Sequence, residues 1–182
     1  TGMSEHEVAE GYTEVTDPSV YVRFPLEGPA AALDGVDLLV WTTTPWPLVS
    51  NTAVAANPDV SYAVVETEGR PVLVAQALVE KAVGEGATVR GVVPGRDLER
   101  VRYRRPFELV DLPPTSDASY VVLADYVTTD DGTGLVHQAP AFGAEDMAVA
   151  RQYDLPVVNP IGPDGRFRED VPLVGGVFFK DA

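Results

Sequence analysis

The chain has 182 residues, a formal net charge of −15, 45% hydrophobic content and no cysteine. That length supports one domain with its own core, and the absence of thiols excludes disulfides, cysteine nucleophiles and cysteine-ligated zinc. The acidity argues against a module that grips nucleic acid by broad phosphate neutralisation; with no twenty-residue apolar run and no leader, a soluble cytoplasmic protein is the expected class.

Residues 1–19 are polar and acidic and are read as lying outside the fold, with Thr1-Gly2-Met3 as a cut end. From Val20 onward, short β-rich runs are predicted over 20–24, 36–42, 52–55, 62–66, 72–75, 88–93, 120–123 and 134–137, separated by Pro, Gly, Asp and Asn. Such spacing favours a sheet closed into a barrel. A first helix is predicted over 76–83, stopped by Gly84 and Gly86, and a second over 144–153, with Glu145 and Asp146 in its first turn and Pro156 beyond its end. The expected class is therefore α+β and β-rich, a barrel-like mixed sheet with flanking helices. Residues 100–105 (Arg-Val-Arg-Tyr-Arg-Arg) read as the solvated face of an exposed strand. The 16 prolines and 16 glycines are spread through the connections, so no linker or low-complexity segment divides the chain.

Two runs carry the candidate chemistry. In Trp41-Thr42-Thr43-Thr44-Pro45-Trp46, three hydroxyls follow an apolar strand, and Pro45 removes an amide donor where they begin. Threonine also suits strands because it is β-branched, so the triplet alone leaves structure and function open. In the second run, Gly132 to Asp146, His137 ends a strand and Asp146 opens a helix. Each also has a structural explanation, a histidine satisfied in the core and an acid favoured by the helix dipole. No His-Glu-x-x-His, Gly-x-Ser-x-Gly or phosphate-loop motif is present. With only His6 and His137 available, a zinc site would need mostly carboxylates. A Ser50, His137 and Asp146 triad can be written but has no supporting local motif.

Together the runs resemble the editing domain of isoleucyl-tRNA synthetase, an insertion in the catalytic domain of a class I synthetase. The resemblance rests on Trp41 to Trp46, Asn51, Leu123-Ala124-Asp125-Tyr126-Val127, Gly132 to His137, and Ala139-Pro140-Ala141-Phe142-Gly143 with Asp146. Valyl and leucyl relatives usually carry arginine where Thr44 stands and lack a histidine at the position of His137. The family commonly has threonine and proline where this chain has Pro47 and Val49, which bears on the fine shape of the amino-acid pocket. The His-x-Gly-His and Lys-Met-Ser-Lys-Ser signatures of amino-acid activation are absent from this sequence.

The resemblance implies the editing-domain fold over residues 20–174, an entry linker over 1–19 that includes His6-Glu7-Val8-Ala9, and a return linker over 175–182. It also implies hydrolysis of valyl-tRNA or valyl-adenylate while isoleucine is rejected by size. The two size tests in sequence form a double sieve, needed because one methylene supplies only about 1–3 kcal/mol of discrimination; isoleucine against valine is the standard worked case of that limit. In this reading Asp146 anchors the substrate ammonium and His137 contributes to the size filter. Thr42, Thr43 and Thr44 bind the terminal adenosine and position water, and Asn51 supports them. Trp41, Trp46, Ala139 and Phe142 line the substrate site. No metal or cofactor is expected in this domain, whereas the parent enzyme would use ATP and magnesium and could hold zinc elsewhere. The implied partners are the 3′ end of isoleucine-specific tRNA, valyl-adenylate and the rest of the synthetase chain, with no membrane and a monomeric state. The other readings are a non-catalytic module for an aminoacyl ligand or a protein, and the Ser50 hydrolase.

Overall fold

The structure, a computed structural model, describes residues 19–27 and 33–182. His6 and all but the last residue of the expected entry linker lie outside the described residues.

The architecture is one nine-stranded mixed sheet with few helices. Strand β1 (Val20–Glu27) runs antiparallel to β2 (Asp37–Thr42), which lies parallel to β5 (Val72–Ala75). β5 pairs antiparallel with β4 (Ser61–Val65), and β4 with β6 (Val89–Pro94) across a bulge at Val64/Val65. The far end of β1 turns the other way, pairing through Leu26 with Tyr103 of the two-residue β7 (Arg102–Tyr103). From there the ladder continues through β8 (Tyr120–Leu123) to β3 (Ala53–Ala56) and β9 (Leu135–Gln138).

The expected barrel closure does not occur, because the order β6-β4-β5-β2-β1-β7-β8-β3-β9 leaves β6 and β9 as unjoined edges. On β6, Pro94 lacks an amide donor and the bulge disrupts the ladder, both devices that blunt a sheet edge. The short strands are nevertheless enough to bury several cores. In β3 the alternation sends Val54 and Ala56 into one hydrophobic cluster and Ala53 and Ala55 into another. All four are buried, and small residues there let layers approach from both faces. β4 behaves likewise, with Tyr62 and Val64 in the main cluster and Ala63 and Val65 in a third. Each fully buried valine or leucine in these clusters contributes about 1.5–3 kcal/mol relative to exposure.

The helix expected over 76–83 divides into a 3-10 turn, Gln76–Leu78, and a short helix α1, Val79–Ala82, whose Val79 packs into the third cluster. Helix α2, Ala144–Tyr153, forms where the acidic first turn indicated. It buries Val149 and Ala150 against Tyr120 and Val122, and it ends at Asp154, whose left-handed φ of 54° stops it before Pro156. The basic stretch is only partly a solvated face. Arg100 and Arg102 reach Asp117 at 3.1 and 2.6 Å, whereas Tyr103 between them and the second arginine pair is 2% exposed.

Residues 175–182 pack onto the domain. Phe167 donates its amide to the Val177 carbonyl at 2.9 Å, Phe179 donates its own to Gly165 at 3.0 Å, and a 3-10 turn covers Phe179–Asp181.

Candidate functional site at the end of strand β2

The threonine triplet sits where β2 leaves the sheet. Thr42 is still paired with Val20 and is buried. Its hydroxyl oxygen accepts from the Thr44 amide at 3.1 Å and lies 3.3 Å from the Thr44 carbonyl. This local bond replaces the next rung of the ladder and turns the chain outward, leaving Thr43 and Thr44 exposed. Pro45 then starts the 3-10 turn Trp46–Ser50, and the Trp46 ring packs edge-on against Phe142 and Phe179, each at 4.8 Å between centroids.

Two clefts open here. One of about 310 Å³ is lined by Trp41, Thr42 and Thr43 on one side and by Tyr126 to Thr128 and Asp131 to Val136 on the other. Its second wall fits closely because of glycine: a Cβ on Gly134 would come within 2.5 Å of the Ala75 Cβ, at a φ of +72° that favours glycine. A smaller cleft of about 130 Å³ is lined by Thr43, Thr44, Pro45 and Trp46 with Phe179, Lys180 and Ala182. Thr43 belongs to both.

His137 and Asp146 line neither cleft. They are joined to the threonine turn indirectly, since Trp46 packs on Phe142 in the loop between β9 and α2. His137 pairs with Val54 in the sheet, is 9% exposed, and its Nδ1 has no hydrogen-bond partner. Burial pulls its pKa down to about 4, so the imidazole is neutral at pH 7. Asp146 accepts the Ala139 amide at 2.8 Å and thereby closes the loop that carries Phe142. Burial raises its pKa, the Ala139 bond opposes that rise, and the neighbouring Glu145 adds to it. Gly143 gives the carboxyl room, because a Cβ there would stand 3.0 Å from the Asp146 Cγ.

The interior takes the other candidates. Asn51 is fully buried; its amide nitrogen donates to the Ala53 carbonyl at 2.8 Å and its oxygen accepts from the Tyr103 hydroxyl. Any support it gives the threonines passes through the backbone that joins the 3-10 turn to β3. Ala139 is buried behind Asp146, and Pro47 and Val49 are buried in the 3-10 turn, with Val49 packed against Val110, Phe167 and Val171. No hydrogen bond assembles a triad: Ser50 Oγ and His137 Nδ1 both lack partners, and the Asp146 contact goes to Ala139.

Among the cleft residues that the sequence reading did not name as site residues are Tyr126, Asp131, Phe179 and Lys180. Tyr126 accepts from Gln138 Nε2 at 2.7 Å, and burial pushes its pKa up to about 12, so it stays a neutral hydroxyl. Asp131 is held by Lys81 at 2.9 Å, an interaction that lowers its pKa. Tyr126 lies within a motif that the sequence did mark and Asp131 flanks another, whereas nothing in the sequence brings Phe179 and Lys180 to Thr44. Among the described residues, no group of three or more His, Asp or Glu side chains is placed to hold a metal ion, and no helix is long and apolar enough to cross a membrane.

No protein-family profile matches the chain. Across its whole length it is 61% identical to isoleucine-tRNA ligase of Streptomyces avermitilis and 45% identical to that of Thermus thermophilus. The chain spans 17% of the length of each of these relatives. In fold it resembles the crystal structure of GlLeuRS-CP1, with a TM-score of 0.59, 19% identity, and coverage of 75% of this chain and 65% of that one. It also resembles the cytosolic leucyl-tRNA synthetase editing domain of P. knowlesi, with a TM-score of 0.57, 10% identity, and coverage of 80% and 66%. The chain is thus homologous over its whole length to one segment of the isoleucine-tRNA ligases, and it carries the mixed-sheet fold of synthetase editing domains.

Proposed function

We propose that this segment is the hydrolytic proofreading site of an isoleucine-tRNA ligase, removing valine from isoleucine-specific tRNA and from valyl-adenylate while excluding isoleucine by size. The observation that carries the reading is the whole-chain identity of 61% to isoleucine-tRNA ligase in a chain with an editing-domain fold. The site chemistry is compatible with it. Thr43 and Thr44 present exposed hydroxyls at a cleft edge, able to bind a ribose and orient water. Asp146 offers a carboxylate oxygen beyond the one bound to Ala139, which suits a substrate ammonium. His137, paired with Val54 and lining neither cleft, is neutral, so in the role of size filter it would bring no second cation to the site.

The ester is already activated, so oriented water and fixed dipoles supply the chemistry, and the domain needs no covalent nucleophile, metal or cofactor of its own. ATP and magnesium belong to the activating body of the enzyme. That body also holds most of the tRNA, which fits a segment with 28 acidic residues against 13 basic ones. The segment acts in the cytoplasm as part of a monomeric ligase, with no membrane partner.

The test is deacylation of valine-charged and isoleucine-charged isoleucine-specific tRNA by the ligase carrying this segment, with and without Asp146→Ala. Loss of valine alone, slowed at least about 10-fold by the substitution as expected for a lost charge-assisted bond, supports the reading. Undiminished hydrolysis in Asp146→Ala removes the anchor assignment, and equal loss of both amino acids removes the size filter.

A further inference from the structure

We propose that Lys180 is a phosphate-binding residue of the threonine cleft, holding the phosphate of the nucleotide to which the amino acid is attached. The inference rests on the hydrolytic reading above and adds a subsite to it. Among the described residues, Lys180 is the only basic side chain lining either threonine cleft. The other lysine near them, Lys81, is tied to Asp131 at 2.9 Å. Lys180 has no carboxylate within ion-pairing distance among the described residues, although acidic residues outnumber basic ones 28 to 13.

The backbone that carries Lys180 is fixed. Phe179 packs edge-on against Trp46 at 4.8 Å, its amide donates to Gly165 at 3.0 Å, and the Asp181 amide closes the turn onto Phe178 at 2.8 Å. Phe179, Lys180 and Ala182 therefore form one wall of the cleft that Thr43 and Thr44 also line. An ammonium, two hydroxyls and an aromatic wall are the donors and the apolar surface that a phosphate and its sugar require.

Size assigns the two clefts. At about 130 Å³ the Lys180 cleft holds one small group, and at about 310 Å³ the neighbouring cleft reaches the lower range for a whole ligand. Thr43, common to both, would lie between the phosphate and its nucleoside. The phosphate could come from the backbone at the tRNA 3′ end or from the adenylate, where it is bonded to the amino acid itself.

The test reads inhibition of valyl-tRNA hydrolysis by the ligase carrying this segment, using three non-hydrolysable analogues. These are valyl-amide adenosine, the same compound with a 5′-phosphate, and a valyl-adenylate phosphoramidate. In the unaltered enzyme a phosphate at the right place tightens inhibition about 10-fold, Lys180→Ala erases that increment, and Lys180→Arg retains it. Loss confined to the 5′-phosphate compound assigns the subsite to the tRNA end, and loss confined to the phosphoramidate assigns it to the adenylate. Lys180→Ala should also reduce the slope of log affinity for valyl-tRNA against log salt by about 0.7, the contribution of one single-strand phosphate contact. An unchanged phosphate increment in Lys180→Ala, or equal weakening of all three analogues, overturns the proposal. Failure of the unaltered enzyme to hydrolyse valyl-tRNA overturns instead the reading on which it rests.

Discussion

The two ends of strand β2 treat polar groups in opposite ways. At its start, Asp37 is 4% exposed and is held by Arg70 at 2.7 Å and Arg23 at 3.4 Å. The Arg70 contact is a short ion pair rather than an aligned hydrogen bond, and it still neutralises the buried charge. At the other end, Thr43 and Thr44 have no side-chain hydrogen bond among the described residues and face two clefts. In Ser50, six residues beyond Thr44, and in the distant His137 and Gln138, the atoms Oγ, Nδ1 and Oε1 are likewise buried without partners. A scaffold charge must find its partner inside the fold, whereas a site leaves donors and acceptors for something else to satisfy.

The largest effect expected of this contrast is the pH response of His137. Its pKa falls from 6.5 in the unfolded chain to about 4 in the fold. As pH drops through that window the unfolded chain takes up the proton first, so stability present above pH 6.5 is lost toward pH 4, about 3 kcal/mol in all. Urea midpoints of the unaltered chain and of His137→Gln, compared at pH 7 and pH 4.5, check this, because only the histidine chain should show this component. Asp146, whose pKa is raised, shifts stability the other way in both chains and cancels from the comparison.

Next in size is Asp37→Ala, which strands two arginines that are each nearly half exposed. The cost expected is about 2 kcal/mol, below the full value for a buried pair because water reaches the cations. Urea unfolding should show that loss while hydrolysis by the surviving folded enzyme is unchanged. Gly134→Ala should cost a similar amount, about 2 kcal/mol, through its left-handed backbone and the clash with Ala75, and it should also weaken analogue binding by shifting the cleft wall. Tyr103→Phe is smaller, about 1 kcal/mol, for the hydrogen bond lost at Asn51. The smallest effect on stability is expected for Thr43→Val, within about 0.5 kcal/mol at an exposed site, paired with slower hydrolysis of valyl-tRNA. A stability loss in Thr43→Val as large as that of Asp37→Ala would erase the distinction between the two strand ends.

Much of the local structure was readable from residue pattern. Alternating or continuous apolar runs located eight of the strands to within a residue or a few, and the acidic turn of Glu145 and Asp146 marked the start of α2. β7 falls within the basic run read as an exposed strand, but the burial of Tyr103 in it was masked by the arginines on either side. The first helix came out divided because its opening residues, Gln76–Leu78, take a tighter 3-10 turn straight from β5. Barrel closure was a reasonable inference from strand spacing, but spacing does not say whether β6 and β9 meet.

The sequence by itself determined which segments extend, where hydroxyls, imidazole and carboxylate cluster along the chain, and which family the motifs resemble, since these depend on near-neighbour chemistry. Tertiary structure alone decided that Thr43 and Thr44 face Lys180 and Phe179, that Asn51 is consumed by Ala53 and Tyr103, and that His137 loses its charge to burial. Those outcomes depend on contacts between residues far apart in sequence and on exclusion of water, and neither leaves a local signature in the chain.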